Sequence, residues 1–157
     1  FARLAKEDFV DASRLGVYGF SRGALAASLL AVDPDVDAQA VIVCSGVYDF
    51  QKAYDQLADH GLQSRIKGNM RIESGMTPQA VDARTSIDKM DRLRAPILVV
   101  HGRKDENVPV QQAEDLIAQL KKLDKDVEYR IYDDADHGLP GTGYLDVCFD
   151  FLKRKLQ

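Results

Sequence analysis

Gly19-Phe20-Ser21-Arg22-Gly23 sets a serine between two glycines, directly after the apolar run Leu15 to Phe20 and directly before the helix-forming stretch that ends at Asp33. A Gly-x-Ser-x-Gly pentapeptide between a strand and a helix is the pattern of a nucleophile elbow, whose tight turn exposes the serine hydroxyl at its tip. Gly19 and Gly23 read as leaving the room that this turn needs. The first N–H groups of a helix have no carbonyl partners. Negative charge developing beside Ser21 would therefore face unpaired donors, the backbone N–H of Arg22 among them.

A serine hydroxyl is a weak nucleophile until a base takes its proton, and the base needs a third group to hold its tautomer. Of the three histidines, His60 lies in a polar stretch (Ala58-Asp59-His60-Gly61) and reads as a solvated helix end. His101 follows Val99-Val100 in line with a strand, where a hydrogen-bonded structural histidine is the simpler reading. His137 stands in Asp133-Asp134-Ala135-Asp136-His137-Gly138, a loop after the last strand. Open parallel sheets put their functional groups in such strand-end loops. For the acid, Asp105 sits just past the third strand, with Glu106 its nearest competitor; Asp133, Asp134 and Asp136 read as a solvated acidic turn. The chain order Ser21, Asp105, His137 is the order of this triad on a strand–turn–helix elbow.

The elements that must position these residues follow from periodicity. Strands are expected at 15–20, 38–45, 96–100 and 127–132, and helices at 22–32, 110–124 and 144–156. The second and third strands are apolar almost throughout, as strands buried on both faces are. The fourth alternates apolar with charged residues, which suits a sheet margin. Helix 22–32 carries small residues, Gly23, Ala24, Ala26, Ala27 and Ser28, that let it lie close on a sheet. Residues 49 to 90 read as a polar, helical excursion from the sheet edge, broken at Gly61, Gly68, Gly75 and Pro78. Strands alternating with helices give βαβ units and a mainly parallel sheet, an α/β fold. Right-handed crossovers would put the three connecting segments on one face and leave the other to the C-terminal helix.

The 157 residues, 45% hydrophobic, suffice for one domain with a real core. A net charge of -4 argues against a nucleic-acid partner. No segment reaches membrane-spanning length, so no membrane partner is expected. Cys44 and Cys148 lie in apolar runs and read as buried thiols. No dinucleotide glycine fingerprint and no histidine–cysteine metal cluster is present, so neither cofactor nor metal is expected. The opening at Phe1, without Met, reads as a chain cut from something longer; its compartment is left open, with the cytoplasm favoured.

The blocks Phe9-Val10-Asp11 to Gly23, Arg84-Thr85-Ser86, His101 to Pro109 and Asp136-His137-Gly138 together resemble the C-terminal part of the catalytic domain of the prolyl oligopeptidase family of serine peptidases. That resemblance implies a partial α/β-hydrolase fold over 1–157, the last four strands of about eight. It implies Ser21 as nucleophile, Asp105 as orienting acid, His137 as base and Arg22 N–H as one oxyanion donor. Family members commonly carry Tyr where Arg22 stands and Gly where Ala24 stands. The substrate expected is a small peptide or an acyl ester; a truncated, non-catalytic fragment lacking half the oxyanion hole is the competing reading. In the resembled sheet the 15–20 strand is interior. Its second edge is therefore expected to be covered by an upstream hydrolase segment or by a second copy of the chain.

Overall fold

The computed structural model describes Phe1 and residues 3–157. Four parallel strands, β1 (Gly16–Phe20), β2 (Ala40–Cys44), β3 (Ile97–Gly102) and β4 (Val127–Tyr132), lie side by side in chain order. Tyr18 stands opposite Ile42, Ile42 opposite Leu98, and Leu98 opposite Glu128. This register brings all four C-terminal strand ends to one rim.

Helix α1 (Arg22–Ala31) leaves that rim from β1. Between β2 and β3 come α2 (Phe50–Gln56), α3 (Gly61–Ser74), α4 (Pro78–Asp82) and a 3₁₀ turn over Ile87–Arg92. Helix α5 (Gln111–Lys122) joins β3 to β4, and α6 (Tyr144–Lys155) closes the chain. No helix of the described residues is long and apolar enough to cross a membrane.

Continuous apolar runs make β2 and β3 the middle of the sheet, since every residue of both is buried. Alternate side chains feed two cores. Val41, Val43, Ile97 and Val99 pack with Ala24 and Ala27 of α1 and with Leu116 and Leu120 of α5. Ile42, Cys44, Leu98 and Val100 pack on the opposite face with Cys148 and Phe151 of α6. A side chain as buried as Leu116 or Phe151 contributes about 1.5–3 kcal/mol relative to exposure. Both cysteines are free and buried. The C-terminal helix thus covers one face alone, as expected from right-handed crossovers.

Three expectations are corrected. The 49–90 excursion leaves from between the two central strands and not from a sheet edge. Its helices form a small core of their own, Phe50, Ala53, Leu57 and Met70 against Leu25, while Ile87 and Met90 at its end pack on the sheet face with α1 and α5 as expected. Within it Gly68 breaks nothing: it lies inside α3, where an exposed or half-buried glycine costs only about 1 kcal/mol against Ala. Gly61 and Gly75 do mark the ends of α3, both at positive φ, and Pro78 opens α4. Finally, α1 turns Ala24, Ala27, Ser28 and Ala31 inward, whereas Gly23 and Ala26 face out.

Strand β1 pairs with β2 alone, so the backbone groups on its other side have no strand partner among the described residues.

Candidate active site

The rim is where the chemistry-bearing residues meet. Ser21 follows β1 directly and sits at φ 54°, ψ -118°, a conformation costing on the order of 1–3 kcal/mol for a non-glycine residue. The surroundings hold it there. Its N–H donates to the Cys44 carbonyl at 2.8 Å, and a Cβ on Gly19 would fall 2.1 Å from the Gly23 carbonyl oxygen. Glycine at 19 is therefore a steric necessity of the turn. Gly23 is not, since a Cβ there meets nothing within 4 Å among the described residues and its conformation needs no positive φ. The expectation that both glycines make room is corrected to Gly19 alone.

A serine at a helix N-cap ordinarily turns its hydroxyl onto the helix. Ser21 makes no such bond. Its hydroxyl lies 2.9 Å from His137 Nε2, and His137 Nδ1 lies 2.8 Å from Asp105 Oδ2. The structure therefore brings together the three residues singled out from the sequence, across separations of 116 and 32 positions. Arg22 N–H heads α1 next to Ser21 and has no intrahelical acceptor. The Arg22 guanidinium reaches instead to Glu73 of α3 at 3.1 Å.

The competing groups are elsewhere. His60 is exposed at the start of α3, and Glu106 is exposed. Asp133 pairs with Arg103 and Asp134 with Lys104, and Asp49 caps α2. Asp136 Oδ1 accepts the Gly138 N–H.

Asp105 is buried, and burial by itself would raise its carboxyl pKa. The adjacent His101 ring nitrogen, the hydrogen bond from His137 and that from the Val108 N–H outweigh that effect and hold it well below the usual carboxylate range. Its Oδ1 accepts the N–H groups of Asn107 and Val108, both at 2.8 Å. The carboxylate therefore stays ionised and fixed in direction.

Two residues that hold the His137 loop escaped the sequence reading. Ser45, buried at the end of β2, donates its hydroxyl to the His137 carbonyl at 3.0 Å. Gly102 ends β3 under the same loop, and a Cβ on it would lie 2.4 Å from the Ala135 carbonyl oxygen. Lys104 N–H also donates to that oxygen, at 2.9 Å. The available signal was the position of both residues at the C-terminal ends of interior strands.

Two recesses share His137. One, of about 430 Å³, opens beside Ser21 between the elbow and α3, lined by Leu25, Val47, Phe50, Ile66 and Met70 together with the charged Arg22, Glu73 and Arg84. The other, a groove of about 780 Å³, is walled by Lys104, Glu106, Asp134 and Asp136. Gln63 of α3 donates to the Glu106 carbonyl at 2.6 Å, tying the apolar wall to the Asp105 loop. Among the described residues no group of His, Cys, Asp and Glu side chains could hold a metal ion.

The model of the prolyl oligopeptidase family matches residues 1–157. The chain belongs to that family. The Bacillus subtilis (strain 168) protein named uncharacterized peptidase YtmA is 31% identical over 144 residues, which cover 89% of this chain and 54% of that protein. The chain thus spans about half the length of this relative. A probable carboxylic ester hydrolase of Mycobacterium tuberculosis, LipM, is 28% identical over 130 residues, 73% of this chain and 30% of that protein. Among solved structures, the Pyrococcus horikoshii acylaminoacyl peptidase superposes with a TM-score of 0.82 over 99% of this chain and 26% of its own, at 20% identity. At that identity the likeness speaks for the fold, a partial α/β-hydrolase fold.

Proposed function

We propose that this prolyl oligopeptidase family chain carries the catalytic apparatus of a serine hydrolase that works through an acyl-enzyme, most readily as a peptidase. The observation that carries the reading is the unbroken line from Ser21 hydroxyl to His137 to Asp105, at 2.9 and 2.8 Å, with a recess of mixed apolar and charged lining at the serine.

In this reading neutral His137 takes the Ser21 proton on Nε2 as Oγ attacks the substrate carbonyl carbon. Asp105 accepts from Nδ1–H and stabilises the imidazolium that forms. The oxyanion draws on the Arg22 N–H and the N-terminal end of α1. His137 then gives its proton to the leaving nitrogen or oxygen, leaving an acyl ester on Ser21. A water molecule, deprotonated by His137, attacks that ester, releasing the acid and restoring the hydroxyl. The acyl side takes the recess beside Ser21, and the leaving group takes the polar groove, whose walls suit a peptide amine. The free side of β1 is covered, in the same reading, by an upstream hydrolase segment or a second copy.

A carboxylesterase is the second reading, and the likeness to LipM favours it. The test is turnover of matched amide and ester substrates by the complete natural polypeptide and by its Ser21→Ala variant. Loss of at least roughly 10³-fold in the variant supports the triad. A kcat/KM for amides within about tenfold of that for esters supports the peptidase, because an intrinsically harder leaving group then depends on the protein for its departure. Turnover unchanged by Ser21→Ala overturns both readings.

A further inference from the structure

We propose that His101 is a positioning residue for the triad: its buried Nε2–H, donated to the Val108 carbonyl, holds the loop that carries Asp105 and lies against the same Asp105 oxygen that receives His137. The inference rests on the triad reading and extends it to a residue that the sequence alone presents as a strand filler.

His101 is fully buried at the C-terminal end of β3. Its Nε2 lies 3.1 Å from Asp105 Oδ2 and 3.0 Å from the Val108 carbonyl oxygen. A carboxylate and a carbonyl are both acceptors only, so the nitrogen between them must carry the hydrogen. The tautomer is thereby settled. The other ring nitrogen, Nδ1, is buried without a hydrogen-bond partner. A bare lone pair is the less costly group to leave unpaired there, since orphaned buried N–H groups are rare.

Three donors hold the carboxylate. Asn107 and Val108 N–H fix Oδ1, and His137 Nδ1–H holds Oδ2, with His101 Nε2 against that same oxygen at 3.1 Å. With His101 tied to the Val108 carbonyl, the residue whose N–H fixes Oδ1 is held in place, so Oδ2 stays turned toward His137. His101 also draws part of the Oδ2 charge away from His137, which restrains how strongly the carboxylate favours the protonated ring. The remaining charged groups around the pair are occupied or exposed. Lys104 pairs with Asp134, Glu106 is exposed, Asp136 bonds to Gly138 N–H, and Arg22 pairs with Glu73.

The test compares wild type with His101→Phe, which fills the space without a donor, and His101→Gln, whose amide nitrogen can reach the position of Nε2. In the complete natural polypeptide the His137 ring is titrated by NMR through its Cε1–H signal, a readout that does not need turnover. The His137 midpoint is expected to rise in His101→Phe and to return toward wild type in His101→Gln. The rate of fluorophosphonate labelling above both midpoints is expected to fall roughly 10- to 100-fold in the Phe variant and to recover in the Gln variant. A midpoint unchanged in the folded Phe variant, or a shift that Gln does not reverse, overturns the proposal. Should His101→Phe not fold, the wild-type His101 Nε2–H resonance decides: it is expected to move on Asp105→Asn, and an unmoved signal overturns the proposal. Wild-type labelling no faster than that of Ser21→Ala would sink the hydrolase reading, while the titration would still decide the role of His101.

Discussion

Gly102→Ala is a one-methyl perturbation whose effect can be worked from the coordinates. The added Cβ would lie 2.4 Å from the Ala135 carbonyl oxygen and 2.5 Å from that of Asp136. A carbon and a carbonyl oxygen settle at about 3.3 Å or more, so the loop carrying His137 must withdraw by roughly 0.9 Å. Both obstructing atoms are backbone, and Gly102 does not have positive φ, so the whole effect is displacement of the loop and not torsional strain. A Ser21–His137 contact of 2.9 Å would open to about 3.8 Å if the ring followed the loop outward, beyond hydrogen-bond range. A misplacement of that size costs about 10²-fold in rate. Fluorophosphonate labelling of the complete polypeptide reads this directly, with a melting curve to confirm that the variant is folded. Gly138→Ala is the control, because its Cβ would meet only ordinary contacts, the nearest at 3.5 Å. Labelling of folded Gly102→Ala at the wild-type rate would refute the argument that close approach at Gly102 sets the position of His137.

Gln112 is buried in α5, and its Oε1 accepts the N–H groups of Tyr48 and Asp49 at 3.0 Å each, so Gln112→Leu strands two donors; a loss of about 2–4 kcal/mol in denaturant unfolding is expected. The native pKa of Asp105 lies below the unfolded value of about 3.9, so its contribution to stability is complete above that value and is lost as pH falls through the depressed native value. Wild-type stability, followed by chemical unfolding from pH 5 downward, should therefore fall more steeply than that of Asp105→Asn, and parallel curves would count against the paired carboxylate. Met70→Trp narrows the recess beside Ser21; kcat/KM for bulky apolar acyl groups should fall at least roughly tenfold more than for an acetyl group, and equal losses would remove the recess from the acyl side.

Much of the site was legible because its signals are local. Gly19-Phe20-Ser21 announces a turn through chain chemistry alone, and the unbroken apolar character of Ala40 to Cys44 and Ile97 to Val100 marks two-sided burial. Asp105 and His137 could be selected by their distance past a strand end. What resisted reading was tertiary. Gly68 looks like a break only until α3 is seen continuing through it with its apolar side on Phe50 and Leu57. The excursion between β2 and β3 was misplaced because strand order, which decides whether a connection leaves a centre or an edge, is not written in periodicity. His101 and Ser45 resemble any polar residue at the end of a buried strand. The contact of His101 with Asp105 and the bond of Ser45 to the His137 carbonyl are created only by the tertiary fold. Gly23 shows the opposite case, a motif residue whose spacing suggested a steric duty that the turn gives to Gly19 alone.

The central claim is that His137 and Asp105 activate Ser21. Intact-mass and peptide mapping after brief exposure of the complete polypeptide to a fluorophosphonate tests it most directly. One adduct on Ser21 is expected, its formation slowed at least roughly 10³-fold in His137→Ala although Ser21 is retained. An adduct on any other serine, or one on Ser21 that forms as fast without His137, would contradict the account.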